Sequence, residues 1–254
     1  MAIDSPAPRR ARRHVARRLA AEFVGTGMLV AVVVGSGIAA QRLSPHDAGL
    51  QLLENSIATA LGLGVLIVTL APVSGGHLNP VVSLVDWALG RRWGTGLPPS
   101  EVVFYIGAQI VGGVAGTVLA SVMFDVSPAL SETPRSTPGQ LVGEFVATAG
   151  LVVVIFTLAR TATLPVTATA VGAYIGAAYW FTSSTSFANP AVTIARMFTD
   201  TFAGISPGSI VPFILAQLGG AAAGMVFTLV LHRTPARVAG SDARPPTTIP
   251  EEHS

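Results

Sequence analysis

The side chains with chemistry to offer in this chain are amides rather than nucleophiles. Asn79-Pro80-Val81 and Asn189-Pro190-Ala191 each place an amide, with two N–H donors and an acceptor oxygen, directly ahead of a proline inside a long uncharged stretch. An Asn there caps a helix by accepting backbone N–H bonds. Pro suits the first helical position because its missing N–H would be unpaired anyway. Acid–base and metal chemistry find no comparable setting. There is no HExxH-type pair and no Ser-His-Asp set, His14, His46, His77, His232 and His253 are scattered, and cysteine is absent. No catalytic residue, metal or cofactor is expected.

The elements around these amides belong in a bilayer. Half of the 254 residues are hydrophobic, 11% are charged and the mean hydropathy is +0.61, more apolar than a water-soluble core requires. Six stretches approach the ~20 apolar residues that span a membrane, at roughly 17–40, 50–71, 101–124, 141–160, 165–184 and 209–232. Two uncharged runs are too long for one crossing: from Asn55 to Val85 the only acid, base or histidine is His77, and from Thr161 to Ala195 there is none. Both contain an Asn-Pro. Each reads as a full span, a bend and a short helix of ~10 residues, covering ~15 Å or half the hydrocarbon. A helix that starts within the membrane is tolerated only where it is buried in protein or lines a watery cavity, so two of them imply a pore. The expected fold is an all-α membrane protein with six transmembrane helices and two re-entrant half-helices.

The halves repeat. Ala21-Glu22-Phe23-Val24-Gly25-Thr26 opens the first span and Gly143-Glu144-Phe145-Val146-Ala147-Thr148 the fourth. Three spans per half is odd, so the copies, about 17–124 and 141–232, enter from opposite faces as an inverted repeat and their half-helices meet near the midplane. The 124–140 connection, with Pro128, Pro134 and Pro138, either folds over a pore mouth or merely links the halves. Residues 1–16 and 233–254 are too polar to pack and are expected to be flexible cytoplasmic tails.

Charge sets the orientation. There is no lysine, and twelve of the fifteen arginines fall on the side that holds both termini; Arg42, Arg135 and Arg196 fall opposite. By the positive-inside rule both termini are cytoplasmic, in a multi-pass protein of the cell (inner) membrane. The arginines are thus topological and imply no nucleic-acid partner. A signal peptide is the competing reading of the N-terminus, but the apolar run exceeds the ~7–15 residues of an h-region and Glu22 interrupts it. Trp87 and Trp93 suit an interfacial belt beside the first half-helix, and Trp180 is read as packing.

At this point the motifs resemble those of the aquaporin or major intrinsic protein family. Ser74-Gly75-Gly76-His77-Leu78-Asn79-Pro80-Val81-Val82-Ser83 is similar to its first pore loop, and Phe187-Ala188-Asn189-Pro190-Ala191-Val192-Thr193 to its second. The resemblance covers roughly 17–232. It implies a homotetramer in lipid with one pore per subunit, in which Asn79 and Asn189, followed by Pro80 and Pro190, turn amide donors into the lumen. Carbonyls of Gly75, Gly76, His77 and Leu78 and of Thr185, Ser186, Phe187 and Ala188 would form acceptor ladders. Three roles are open to His77: pore-side donor, gate or anchor. Glu22 and Glu144, as intramembrane carboxylates, suggest proton coupling by default; the resemblance implies that they accept hydrogen bonds from the loops.

The chain departs from the family at the constriction. Where relatives carry an Arg three residues after the second Asn, this chain has Val192. Counting from the motifs places the other filter positions at Thr59, Ala177 and Ser186, all small. Arg196, one turn on, is a candidate replacement for the missing cation. Such a filter admits solutes larger than water and resembles a bacterial aquaglyceroporin-like branch associated with metalloids. The function implied is a passive channel for small neutral solutes such as arsenous acid, methylarsenicals, boric acid, glycerol and water. A water or glycerol facilitator is the alternative within that class. A coupled secondary transporter and a membrane enzyme are the rivals from other classes.

Overall fold

A computed structural model describes residues 6–232, with side chains from Arg13 onward; residues 1–5 and the tail expected over 233–254 lie outside the described residues. Eight α-helices follow in order: α1 Pro6–Leu43, α2 Ala48–Ser74, α3 Pro80–Trp93, α4 Pro99–Met123, α5 Pro138–Thr161, α6 Leu164–Phe181, α7 Pro190–Ala195 and α8 Pro207–Leu231. A 3₁₀ turn, Arg196–Phe198, extends α7, and no strand occurs among the described residues. From α3 onward every helix carries Pro in its first two positions, where the absent N–H is harmless. Thr137 and Gln140 close a reciprocal capping box at the start of α5.

Two boundaries differ from the sequence reading. The tail expected over 1–16 is helical from Pro6, because Ala and Arg are strong helix formers and simply prolong α1. The fifth span, expected over 165–184, closes at Phe181; Thr182 turns extended and its hydroxyl donates back to Ala178 O at 2.7 Å. At 18 residues α6 is about 27 Å long. The other five long helices have the length and hydropathy to cross a bilayer.

The long helices pair in a way that repeats. Arg18 in the first half of α1 bonds Glu101 at the start of α4 at 2.7 Å, and Arg42 at the end of α1 donates to Phe124 O just beyond α4 at 2.6 Å, so the two helices run parallel. They touch through glycine: a Cβ on Gly112 or Gly116 would collide with the carbonyls of Phe23 and Gly27 on α1. In the second half Gly220 and Gly224 of α8 meet Phe145 and Ala149 of α5 in the same way. Small residues four apart let backbones approach where lipid offers no hydrophobic drive for association.

Polarity is inverted relative to a protein built for water. Val103, Val111, Val122, Val211 and Leu215 are exposed, whereas Glu22, Gln109, Glu144, Gln217, Thr26 and Thr148 are buried. Trp180 likewise faces outward, its indole N–H donating to Ser56 Oγ at 3.2 Å. Helix α7, by contrast, buries five of its six residues among the long helices, and α3 buries the turns nearest Pro80 while Arg91 and Arg92 at its far end are exposed.

Candidate functional site

Helices α3 and α7 begin back to back at Pro80 and Pro190. Asn79 Oδ1 accepts the Val81 N–H at 3.1 Å, and Asn189 Oδ1 accepts those of Ala191 and Val192 at 3.0 and 3.3 Å. Their amide nitrogens reach across: Asn79 Nδ2 donates to Ala188 O and Asn189 Nδ2 to Leu78 O, both at 2.8 Å. Each NH2 has two hydrogens, so each keeps one for the lumen. Both asparagines line a narrow cavity of about 60 Å³, space for a few waters in file at ~10–15 Å³ each.

The loops that deliver these amides share one backbone path. Gly75, Gly76 and Leu78 have φ of 95°, 62° and 51°; Thr185, Ser186 and Ala188, at the matching places before Asn189, have 62°, 50° and 47°. Left-handed backbone costs a non-glycine residue about 1–3 kcal/mol and persists only where neighbours enforce it. Gly76, His77, Leu78, Ser186 and Phe187 line the narrow cavity. Of the other ladder positions, Gly75 lines a wider cavity at the far end of α3, whereas Thr185 and Ala188 lie off both walls, Ala188 O being taken by Asn79.

Enforcement comes from two buried carboxylates. Glu22 accepts from Ser74 Oγ (2.6 Å), His77 N (3.1 Å), Leu78 N (2.7 Å) and Gln109 Nε2 (2.7 Å). Glu144 accepts from Phe187 N (2.8 Å), Ala188 N (2.9 Å) and Gln217 Nε2 (2.6 Å). The same glutamines donate onward to Ser83 Oγ at 3.0 Å and Thr193 Oγ1 at 2.8 Å, hydroxyls on the first turns of α3 and α7. The carboxylates therefore hold the loops in place. Sequence reasoning missed Gln109 and Gln217, although a signal was present: Gln-x-x-Gly-x-x-x-Gly occurs at 109–116 and again at 217–224.

His77 lies on the wall of both cavities and is tethered as well, with Nδ1 3.0 Å from Ser83 Oγ and Nε2 3.7 Å from Asp86 Oδ2. The wider cavity, about 420 Å³, is also lined by Trp93, Thr95 and Arg160, whose guanidinium stacks on Trp93 at 4.3 Å.

At the other end, Thr59, Ser186 and Val192 line the narrow cavity as expected from the sequence. Ala177 does not: it is exposed on the outer face of α6. Tyr179 occupies the wall instead, its hydroxyl 3.1 Å from Thr59 Oγ1. Arg196 lines the cavity too, 2% exposed, with Nε donating to Ala203 O. The 124–137 connection folds onto this end: Ser131 N donates to Met197 O at 2.9 Å, and Arg135 donates to Gly204 O at 2.7 Å and Phe202 O at 3.0 Å. Burial pushes the Arg135 guanidinium below its ordinary pKa.

Comparison with known proteins gives matches in sequence and in fold. The family model described as Major intrinsic protein matches residues 10–182. Aquaglyceroporin AqpS of Rhizobium meliloti is 50% identical over 206 residues, covering 81% of this chain and 85% of that protein. Aquaporin-2 of Rhizopus delemar is 28% identical over 253 residues, covering 85% of this chain and 76% of its own. Among solved structures, the X-ray structure of the aquaglyceroporin from Plasmodium falciparum superposes with a TM-score of 0.67 at 18% identity, over 86% of this chain and 98% of that one, a likeness of fold.

Proposed function

Because the chain belongs to the major intrinsic protein family, whose members are passive membrane channels rather than enzymes, we propose that it conducts small neutral solutes through a lumen of its own. The observation that carries this reading is the crossed pair of amides: Asn79 and Asn189 each fix the opposite loop and keep one N–H for a passing oxygen. A water or hydroxyl that accepts from both is oriented at the midplane, and a chain of waters cannot hand protons across it.

Solute size is set at the outer end. Val192 contributes no donor and little bulk, and the hydroxyls of Thr59, Tyr179 and Ser186 stand around it. Such a wall suits polyhydroxyl solutes that exchange water for hydroxyl contacts: arsenous acid, methylarsenicals and boric acid, with glycerol and water. The aquaglyceroporin name of the relative from Rhizobium meliloti favours a second reading within the class, glycerol and water alone. Coupled transport has less support, since Glu22 and Glu144 already accept loop and glutamine N–H groups.

The outward apolar faces suit lipid and neighbouring copies, and the assembly we propose is a homotetramer. Twelve arginines toward the side of the termini, with Arg91 stacked on Trp87 and Arg160 on Trp93, support cytoplasmic termini in the inner membrane.

Stopped-flow light scattering on proteoliposomes tests the reading. Water, glycerol and arsenous acid are each expected to equilibrate faster than in empty vesicles, without saturation. Glycerol and water flux without arsenous acid would select the second reading. Accumulation of tracer against a gradient would replace the channel by a transporter.

A further inference from the structure

We infer that Arg196, not residue 192, supplies the cation of the outer constriction, with Arg135 as a second guanidinium behind it. The inference rests on the channel reading above and assigns that lumen its charge filter. Val192 and Arg196 are four residues apart, on one face of α7 as it tightens into its 3₁₀ turn. Helical side chains lean toward the N-terminus, so a long side chain at 196 covers the turn that begins at 192. The guanidinium therefore reaches the level that Val192 leaves without charge.

Its surroundings agree. Arg196 is almost wholly buried, yet it shares the cavity wall with Val192, Tyr179 and Ser186. Nε is tied to Ala203 O, while the two terminal NH2 groups have no protein acceptor among the described residues. Neither belongs to the buried side-chain atoms that are sealed from solvent without a partner. A desolvated guanidinium with open donors is costly unless something fills them, and the space they open onto is the lumen. Water or a solute oxygen fills them there.

Aromatic stacking fixes the direction. The Arg196 guanidinium carbon lies 3.5 Å from the Phe187 ring centroid and that of Arg135 5.3 Å from it, while Phe187 is itself held edge-on by Phe213 at 5.3 Å. Among the described residues no carboxylate comes within ion-pair distance of either arginine. The cavity wall thus presents one unneutralised cation, Arg196, to an approaching ion and donors to a neutral oxygen, with Arg135 adding its charge from behind the Phe187 ring. Loss of the arginine at 192 relaxes size without removing the charge barrier.

The chain contains no cysteine, so a single introduced thiol can be modified alone. In proteoliposomes, Arg196→Cys is expected to react from outside with hydrophilic methanethiosulfonates, more slowly when glycerol is present, and to leak sodium and protons about tenfold faster than the wild type. Modification with the aminoethyl reagent, which restores a cation, is expected to return the leak to near the wild-type level; the hydroxyethyl reagent, of equal length and neutral, is not. Arg196→Lys is expected to stay tight. A thiol that does not react in folded protein, or a leak that the two reagents change equally, overturns the inference. Reactivity is read by mass and needs no knowledge of the natural solute. Failure of the wild type to pass any neutral solute would instead strike the channel reading and leave the position of Arg196 decided separately.

Discussion

Gln217 Nε2 donates to Glu144 Oε2 at 2.6 Å and, from the same nitrogen, to Thr193 Oγ1 at 2.8 Å, tying α8 to the carboxylate and to the half-helix that the carboxylate serves. Gln109, Glu22 and Ser83 repeat the arrangement. A loop with three residues at positive φ cannot hold itself inside a bilayer, where no water replaces a lost partner. Glu144→Gln keeps the size but turns one acceptor into a donor facing donors. It is expected to cost about 3 kcal/mol and to lower the midpoint of thermal unfolding in detergent. An unchanged midpoint would mean that the carboxylate does not organise the second loop.

The amides carry a sharper expectation. Asn189→Asp preserves shape and helix cap, but its carboxylate cannot donate to Leu78 O, so it both loosens the first loop and puts negative charge at the midplane. Glycerol flux is expected to fall roughly tenfold, the equivalent of one hydrogen bond of about 1.4 kcal/mol, while proton leak rises. Both are read in proteoliposomes with a trapped pH dye.

Much of this site is legible before any coordinates, and the reason is chemical. Asn-Pro in an uncharged run and Glu within an apolar span are so costly in lipid that a pore and an anchor are among the few explanations left. Filter positions on the long helices are less legible. Successive helical residues turn by ~100°, so an error of two in counting carries a residue to the far face, and that separates the exposed Ala177 from Tyr179 in the wall. Gln109 and Gln217 pass unnoticed because one glutamine in an apolar helix reads as tolerated polarity until its repeat is aligned.

That error of two is testable. Tyr179→Ala removes a ring from the constriction and the partner of Thr59, and glycerol flux is expected to rise several-fold. Ala177→Leu adds bulk on the outer face of α6 and is expected to leave flux within experimental error. Comparison of the two by stopped-flow decides which residue bounds the lumen, and the reverse pattern would return Ala177 to the filter.

Val192→Arg asks what two arginines on one face of α7 do to solute size. Residues four apart on a helix stand ~5–6 Å between Cβ atoms, so the added guanidinium would sit beneath that of Arg196 and fill space now bounded by a 4% exposed valine. Like charges at that spacing repel, which favours rotamers that carry the new side chain into the lumen. Arsenous acid and glycerol flux are expected to fall at least tenfold while water persists at a similar rate, since a water needs only one gap among the donors. Parallel stopped-flow traces in water, glycerol and arsenous acid gradients measure this directly. Equal loss of all three would mean that the variant plugs the pore rather than narrowing it. Unchanged flux of the larger solutes would place the constriction at a level other than 192.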